Sequence, residues 1–395
     1  MNNMFDNSNV NFDVLRKRAF NFRWAEVPEG VIPLTAADPD FPCAPEVREG
    51  LKKFIDSGYF CYTPMLGYPD VRKSIANKLN ERKHEGVDPD LLLPVDSAAR
   101  GMYVIAGAVL KPGDEALVFD PVDFLFVKSS EHAGAKPVYF PARLKEGKFD
   151  LSSLEKYITP KTRMLGLCNP HNPYGKLYTK EDLQLILDLA EKYDFYIMND
   201  EIWSDIVFSD GKFLSILNVD PSKNHRVLSV YGFSKAFSIA GMRAGCVYCS
   251  TKEMFDKLVD DSNVMTTAGG IPALSQIAAK ICMDECYYWN EAFVQQMEKN
   301  RDYALSRIAK MPNISCHKPE ATFLLFPDIS ATGMDGDEMC NYLRDNVKLA
   351  LVPGSPRFFG PGAAGHVRIC LSTSHDILEE GMNRLEKGLN MLAGK

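Results

Sequence analysis

A lysine, two arginines and an aspartate stand in this chain where each could do chemistry. Ser234 and Lys235 follow an apolar run, residues 227–231, that reads as a buried strand stopping at Gly232, so the lysine is delivered at a strand exit. Desolvation disfavours an ammonium. A lysine so placed gives up its proton readily, and its amine can form a Schiff base with a carbonyl. Arg243 follows between Gly241 and Gly245, and with the Ser234 hydroxyl it suits a phosphate group. A second run, residues 195–198, ends at Asn199-Asp200-Glu201, where an acid is expensive to bury unless it is paired. Arg368 is the one cation in HVRICLS and could fork onto a carboxylate, or could simply snorkel to the surface. Taken singly, Lys235 is as well read as a solvated turn residue and Arg243 as half of a salt bridge.

Two further stretches could complete a site. Residues 163–168 read as a strand followed by Asn169-Pro-His-Asn172-Pro-Tyr-Gly175. An amide held by prolines could donate to an ionised phenolic oxygen, although Asn, Pro and Gly are also what any turn contains. The stretch LLPVDSAARGMYVIAGAVL, residues 92–110, opens with turn residues and becomes an apolar helix of small side chains. Its first turn offers the N–H groups of Ser97, Ala98 and Ala99 to an anion, while the small residues alone would mean only close packing.

A Schiff-base amine beside phosphate donors is what pyridoxal 5'-phosphate (PLP) requires. Ser234-Lys235 with Gly241-x-Arg243-x-Gly245 resembles the lysine signature of the PLP-dependent fold-type I, class I/II aminotransferase superfamily, and Asn169-Pro-x-Asn172-Pro-x-Gly175 resembles its asparagine motif. The resemblance runs in order through essentially the whole chain. It implies a Schiff base on Lys235, which also serves as acid and base, and a phosphate held by Ser234, Arg243 and the amides of Ser97, Ala98 and Ala99. It implies Asn172 on the phenolic oxygen and near the substrate, Asp200 paired with the pyridine nitrogen, backbone near Ala37 beside the substrate, and Arg368 on the substrate carboxylate. Tyr62, five residues before Gly67, is implied to reach a neighbouring subunit's phosphate, so a homodimer with shared active sites is expected.

The chain also departs from the pattern. Gly232 replaces the signature's first serine, Ser97 a usual glycine, and Trp203 a frequent tyrosine at the cofactor. Asp123 stands where the family places an aromatic stacked on the cofactor ring, which leaves Phe124 to supply the ring or the stack to be absent. Ala37-Asp38-x-Asp40-Phe41 is similar instead to MalY/PatB-type carbon-sulfur lyases. Transamination between an L-amino acid and a 2-oxo acid is therefore the expected reaction, with carbon-sulfur β-elimination (cystathionine β-lyase-like) as the alternative and a non-catalytic PLP-binding regulatory module as a remote one.

The elements that must position these residues are those of an α/β protein. Short apolar strands at 115–119, 136–140 and 163–168 alternate with helices, one of them capped by Thr179, which argues a largely parallel sheet. The length of 395 residues exceeds what one core usually supports. A large PLP-binding domain over 45–285 and a smaller, discontinuous α+β domain from 1–44 and 286–395 are expected. The latter takes helices near 291–311 and 376–392, strands near 322–326 and 366–371, and a loop carrying Arg357, Phe358 and Phe359 as candidate selectivity residues. A net charge of -7 without a basic stripe argues against nucleic acid, and no apolar run is long enough for a bilayer. The polar start is unlike a secretory signal, and ten scattered cysteines read as reduced thiols in a cytoplasm, with no metal-site spacing.

Overall fold

The computed structural model describes residues 4–266 and 269–394. Its centre is a seven-stranded sheet of β1 (Leu92–Val95), β2 (Glu115–Asp120), β3 (Lys136–Pro141), β4 (Thr162–Cys168), β5 (Tyr196–Asp200), β6 (Val227–Gly232) and β7 (Gly245–Tyr248). The spatial order is β1-β7-β6-β5-β4-β2-β3, and every neighbouring pair is parallel except those that β7 makes with β1 and β6. Strands β1, β6 and β7 are buried along their whole length, and β4 and β5 nearly so. Near-continuous apolar runs follow from a sheet covered by helices on both faces.

The covering helices approach closely where the sequence provides room. Helix α1 (Ala98–Val109) lies on β6 and β7 at Gly101, where a Cβ would come within 2.8 Å of Val247 and 3.2 Å of Val230. Helix α2 (Leu125–His132) places Phe126 over Gly166 of β4, whose missing side chain makes the space. Helix α3 (Lys180–Tyr193) starts with the expected cap: Thr179 accepts from the Asp182 amide, and Asp182 accepts in return from the Thr179 amide. This reciprocal pairing satisfies two N–H groups that the first turn would otherwise leave bare.

Beyond this sheet, β8 (Leu324–Leu325), β9 (Val352–Pro353) and β10 (Val367–Cys370) form a second, antiparallel sheet in the order β8-β10-β9. The helix Gly336–Val347 packs against β9 and β10, and helices α4 (Tyr287–Ile308) and α5 (His375–Leu392) pack against each other. Ile32–Pro33 pairs in parallel with Leu349–Ala350, so the chain's start is joined to its last third. Three expectations need correction. Residues 92–95 are strand β1 and not the start of a turn, the strand expected at 322–326 shrinks to two residues, and the loop after Pro353 contains a helical turn, Pro356–Phe359. Thr267 and Ala268, within a stretch expected beside the active site, lie outside the described residues. No described helix is long and apolar enough to cross a membrane.

Candidate active site

The carboxyl ends of the parallel strands converge on one edge of the sheet, where α/β folds place their ligands. Asp200 closes β5, Asn172 follows β4, Asp123 follows β2, Ser234 and Lys235 follow β6, and α1 opens just after β1. Together they line a cavity of about 400 Å³. Ala37, Ser97, Ala98, Ala99, Phe124, Trp203, Arg243 and Arg368 complete its chemical wall, and Phe22, Phe358 and Phe359 its apolar one. Ser97 caps α1 by accepting from the Arg100 amide at 3.0 Å. The amides of Ala98 and Ala99 have no intrahelical acceptor, since they belong to the first turn. They line the cavity together with Ser234 and Arg243, and free amides of a helix's first turn are groups to which an anion can bind.

Lys235 Nζ donates to the carbonyl oxygen of Ala37 at 2.6 Å. Burial pushes its ammonium pKa down from the ordinary value, and the positive charge of Arg368 adds to the effect while Asp38 opposes it. The segment that brings Ala37 over the lysine is itself pinned. Asp40 forms a buried ion pair with Arg23 and accepts from Trp24 Nε1 at 2.8 Å, while Ser238 donates to the Phe41 carbonyl at 2.7 Å. Asp200 is buried, and one of its oxygens accepts from the Ile202 amide at 3.0 Å. Burial raises its pKa to about 7, with the negative charges of Asp123 and Glu201 contributing. A cation placed against Asp200 would reverse that shift. Glu201 serves elsewhere: it accepts from Asn199 at 2.9 Å and from Ser215 at 2.7 Å, outside the cavity lining.

At the opposite wall Asn172 is held at both ends of its amide. Its Nδ2 donates to Asp123 at 2.9 Å, and its Oδ1 accepts from Arg368 at 3.3 Å. Arg368 is buried with its guanidinium 5.0 Å from the centre of the Phe359 ring, and its Nε has no partner among the described residues. Trp203 is buried edge-on to Phe323, with its ring 5.9 Å from the Lys235 nitrogen. Phe124 lies at the mouth, its amide donating to the Phe358 carbonyl at 3.1 Å.

Two expected residues lie away from the cavity. Tyr62 is 94% exposed within a single chain, and Arg357 lies on the outer side of the short helical turn, over the Phe358 ring. Conversely, Asn21 and Phe22 line the cavity although no motif marks them. Both adopt left-handed backbone conformations, and the Phe22 ring meets that of Phe358 edge to face at 6.1 Å. The only trace in the sequence is an asparagine, a residue tolerant of positive φ, before an exposed aromatic.

Residues 29–385 match the family model for aminotransferase class I and II. The chain is 33% identical over 376 residues to aromatic-amino-acid aminotransferase 2 of Thermococcus litoralis, covering 93% of this chain and 94% of that protein. Among solved structures, the aromatic aminotransferase of Pyrococcus horikoshii superimposes with a TM-score of 0.86 at 30% identity, over 93% of this chain and 98% of that one. Cystalysin of Treponema denticola, a structure containing pyridoxal 5'-phosphate, superimposes with a TM-score of 0.89 at 25% identity, over 95% and 97%. A match of this extent, in a chain whose cavity brings a lysine, an aspartate and the amides of a helix's first turn together, means that the chain belongs to the class I and II aminotransferases.

Proposed function

We propose that this PLP-dependent aminotransferase moves an amino group between an L-amino acid and a 2-oxo acid with Lys235 as its catalytic base, and that the amino acid has an apolar or aromatic side chain. The cavity fits the cofactor on chemical grounds. It brings together first-turn amides with Arg243 and Ser234, a buried carboxyl that forms no ion pair among the described residues, and an amine of lowered pKa whose charge that carboxyl feels. PLP, when bound, supplies an aldehyde that condenses with amines and a ring that accepts the electron pair left at Cα.

The remaining steps belong to the chain's own residues. Ser97, Ala98, Ala99, Ser234 and Arg243 hold the phosphate, and Asp200 keeps a proton on the pyridine nitrogen by answering its charge. Arg368 receives the substrate carboxylate and so sets Cα before Lys235. Lys235, neutral more readily than an exposed lysine, would take the Cα proton and return it two bonds away, across the nitrogen, after which water would release the 2-oxo acid and leave the amino group behind. Asn172 orients at the Arg368 wall, while Trp203 and Phe124 close the space around the ring. The observation that carries this reading is the cluster of Lys235, Asp200 and Arg368 in one cavity, brought there by three different strands.

The side-chain assignment rests on what remains after these roles. The lining cations are Lys235, Arg243 and Arg368, each already engaged, and the free wall is Phe22, Phe358 and Phe359. The relatives named as aromatic aminotransferases point the same way. A second reading, β-elimination from a sulfur-bearing amino acid, is favoured by the Ala37-Asp38-x-Asp40-Phe41 segment over Lys235. We place the division into domains at 45–285 against 1–44 with 286–395, the working form as a homodimer that brings Tyr62 to a partner's phosphate, and the site of action in the cytoplasm. Ten cysteines without a disulfide accord with that compartment.

Single-turnover absorbance with a panel of amino acids tests the reaction. Stoichiometric 2-oxo acid, with a spectral change that added 2-oxo acid reverses, is the outcome expected, and it should be fastest for phenylalanine, tyrosine or leucine. Continued release of pyruvate and thiol from cystathionine would replace transamination by elimination, and the absence of any Lys235-dependent PLP band would remove the whole reading.

A further inference from the structure

Asn172 has a two-ended side chain, and its neighbours decide which end points where. Aspartate carboxylate only accepts and arginine only donates. The amide must therefore turn its NH2 to Asp123 and its carbonyl to Arg368, as the distances of 2.9 Å and 3.3 Å show. Asp123 is itself fixed, because its other oxygen accepts from the Leu125 amide at 3.1 Å in the opening turn of α2. An aromatic ring, the side chain expected at this position from the resemblance, offers no such acceptor. The consequence reaches the guanidinium: the nitrogen facing Asn172 is tied back, its plane lies beside Phe359, and Nε remains unpartnered in a buried site.

We propose that Asp123 is a positioning residue of the substrate-carboxylate anchor, acting through Asn172 to hold Arg368 with its Nε edge open to the carboxylate. This proposal rests on the reading of Arg368 given above. The Asp123–Asn172–Arg368 chain joins the ends of β2 and β4 to β10 in the second sheet, so the anchor is set by both sheets at once. It also gives the acid a task other than contact with the cofactor: Asp123 supplies the acceptor without which Asn172 could flip.

The test uses PLP-loaded wild type, Asp123→Leu, Asp123→Asn, Arg368→Ala and the Asp123→Leu/Arg368→Ala double variant. Cofactor content is first read from absorbance. Each protein is then titrated with 3-phenylpropionate, a monocarboxylate without an amine, following tryptophan fluorescence, and KM and kcat are measured with the best amino acid of the panel. Loss of both acceptors in Asp123→Leu should weaken 3-phenylpropionate about tenfold and raise KM alike, with kcat changed by less than about threefold. Asp123→Asn keeps one acceptor and should show about threefold weakening, which keeps the test decisive if the leucine variant does not fold. In the Arg368→Ala background the leucine substitution should add nothing. Unchanged binding in both single variants, a loss confined to kcat, or loss of PLP from both would overturn the proposal. Unchanged binding in Arg368→Ala would instead overturn the assignment of Arg368 itself.

Discussion

A carboxyl group buried at the end of a strand is stable as a charge only where a cation meets it, and Asp200 forms no ion pair among the described residues, with the charge of Lys235 only partly offsetting its burial. Its pKa, raised to about 7 by burial, measures that deficit. Replacing it tests whether a protonated pyridine nitrogen is the missing partner. Asp200→Asn preserves shape and removes charge, so PLP should still bind while turnover falls by about a hundredfold or more, the cost of breaking a buried ion pair. Turnover within a factor of two or three of wild type would disprove the pairing. At this scale the sequence was informative because the reacting groups sit in short motifs. Lys235 with Arg243, Asn172 with its prolines, and Asp200 after an apolar run could each be read locally. The partner of Asp123 could not, since Asn172 and Arg368 reach it from other strands, and neither could Asn21 and Phe22, which enter the cavity by tertiary packing alone.

Elements convert these residues into a site, and their close approaches are the places to disturb. In β7, a Cβ on Gly245 would stand 2.6 Å from the Ala98 nitrogen and 2.7 Å from the Ser97 carbonyl carbon. Gly245→Ala must therefore push the first turn of α1 away from the sheet and displace its amides. A PLP dissociation constant raised about tenfold or more, with secondary structure retained by circular dichroism, is the expected result. The loop after β4 responds to pH instead. His171 is fully buried between the Tyr174 and Phe149 rings, and burial, aided by nearby His317, lowers its pKa to about 3 from an ordinary 6.5. Because the folded form binds its proton less readily than the unfolded form, His171 adds stability above pH 6.5 and loses it as the pH falls toward 3. Wild type should lose about 1.4 kcal/mol per pH unit in that window from this group. His171→Leu should lose correspondingly less in urea titrations at pH 6.5 and 4.5, and equal slopes would show that another group governs acid sensitivity. The sequence missed strand β1 for an elementary reason. Pro94 suggested a turn, whereas an edge strand tolerates proline because one side makes no ladder bonds, and β1 is the edge.

The whole molecule leaves an aromatic surface that a single chain does not cover. Tyr59, Phe60, Tyr62 and Met65 are 75%, 63%, 94% and 56% exposed in one irregular stretch, a concentration of apolar side chains typical of a protein interface. If Tyr62 acts on the phosphate of a second copy, each active site is assembled from two chains, and complementation reveals it. Lys235→Ala and Tyr62→Ala homodimers should each be impaired, the first inactive and the second weak in PLP binding. When the two are mixed, dissociated and reassociated, a heterodimer contains one site bearing both lesions and one bearing neither. Random pairing makes about half the dimers heterodimers, so about one quarter of all sites should regain wild-type kcat at limiting PLP. A Tyr62 that serves its own chain would give no such recovery, because every chain with an intact Lys235 would then carry the tyrosine lesion beside it. Recovered activity that disappears on dilution below the dimer dissociation constant would further tie the function of this enzyme to its assembly, since Lys235 and Tyr62 would then meet only across the interface.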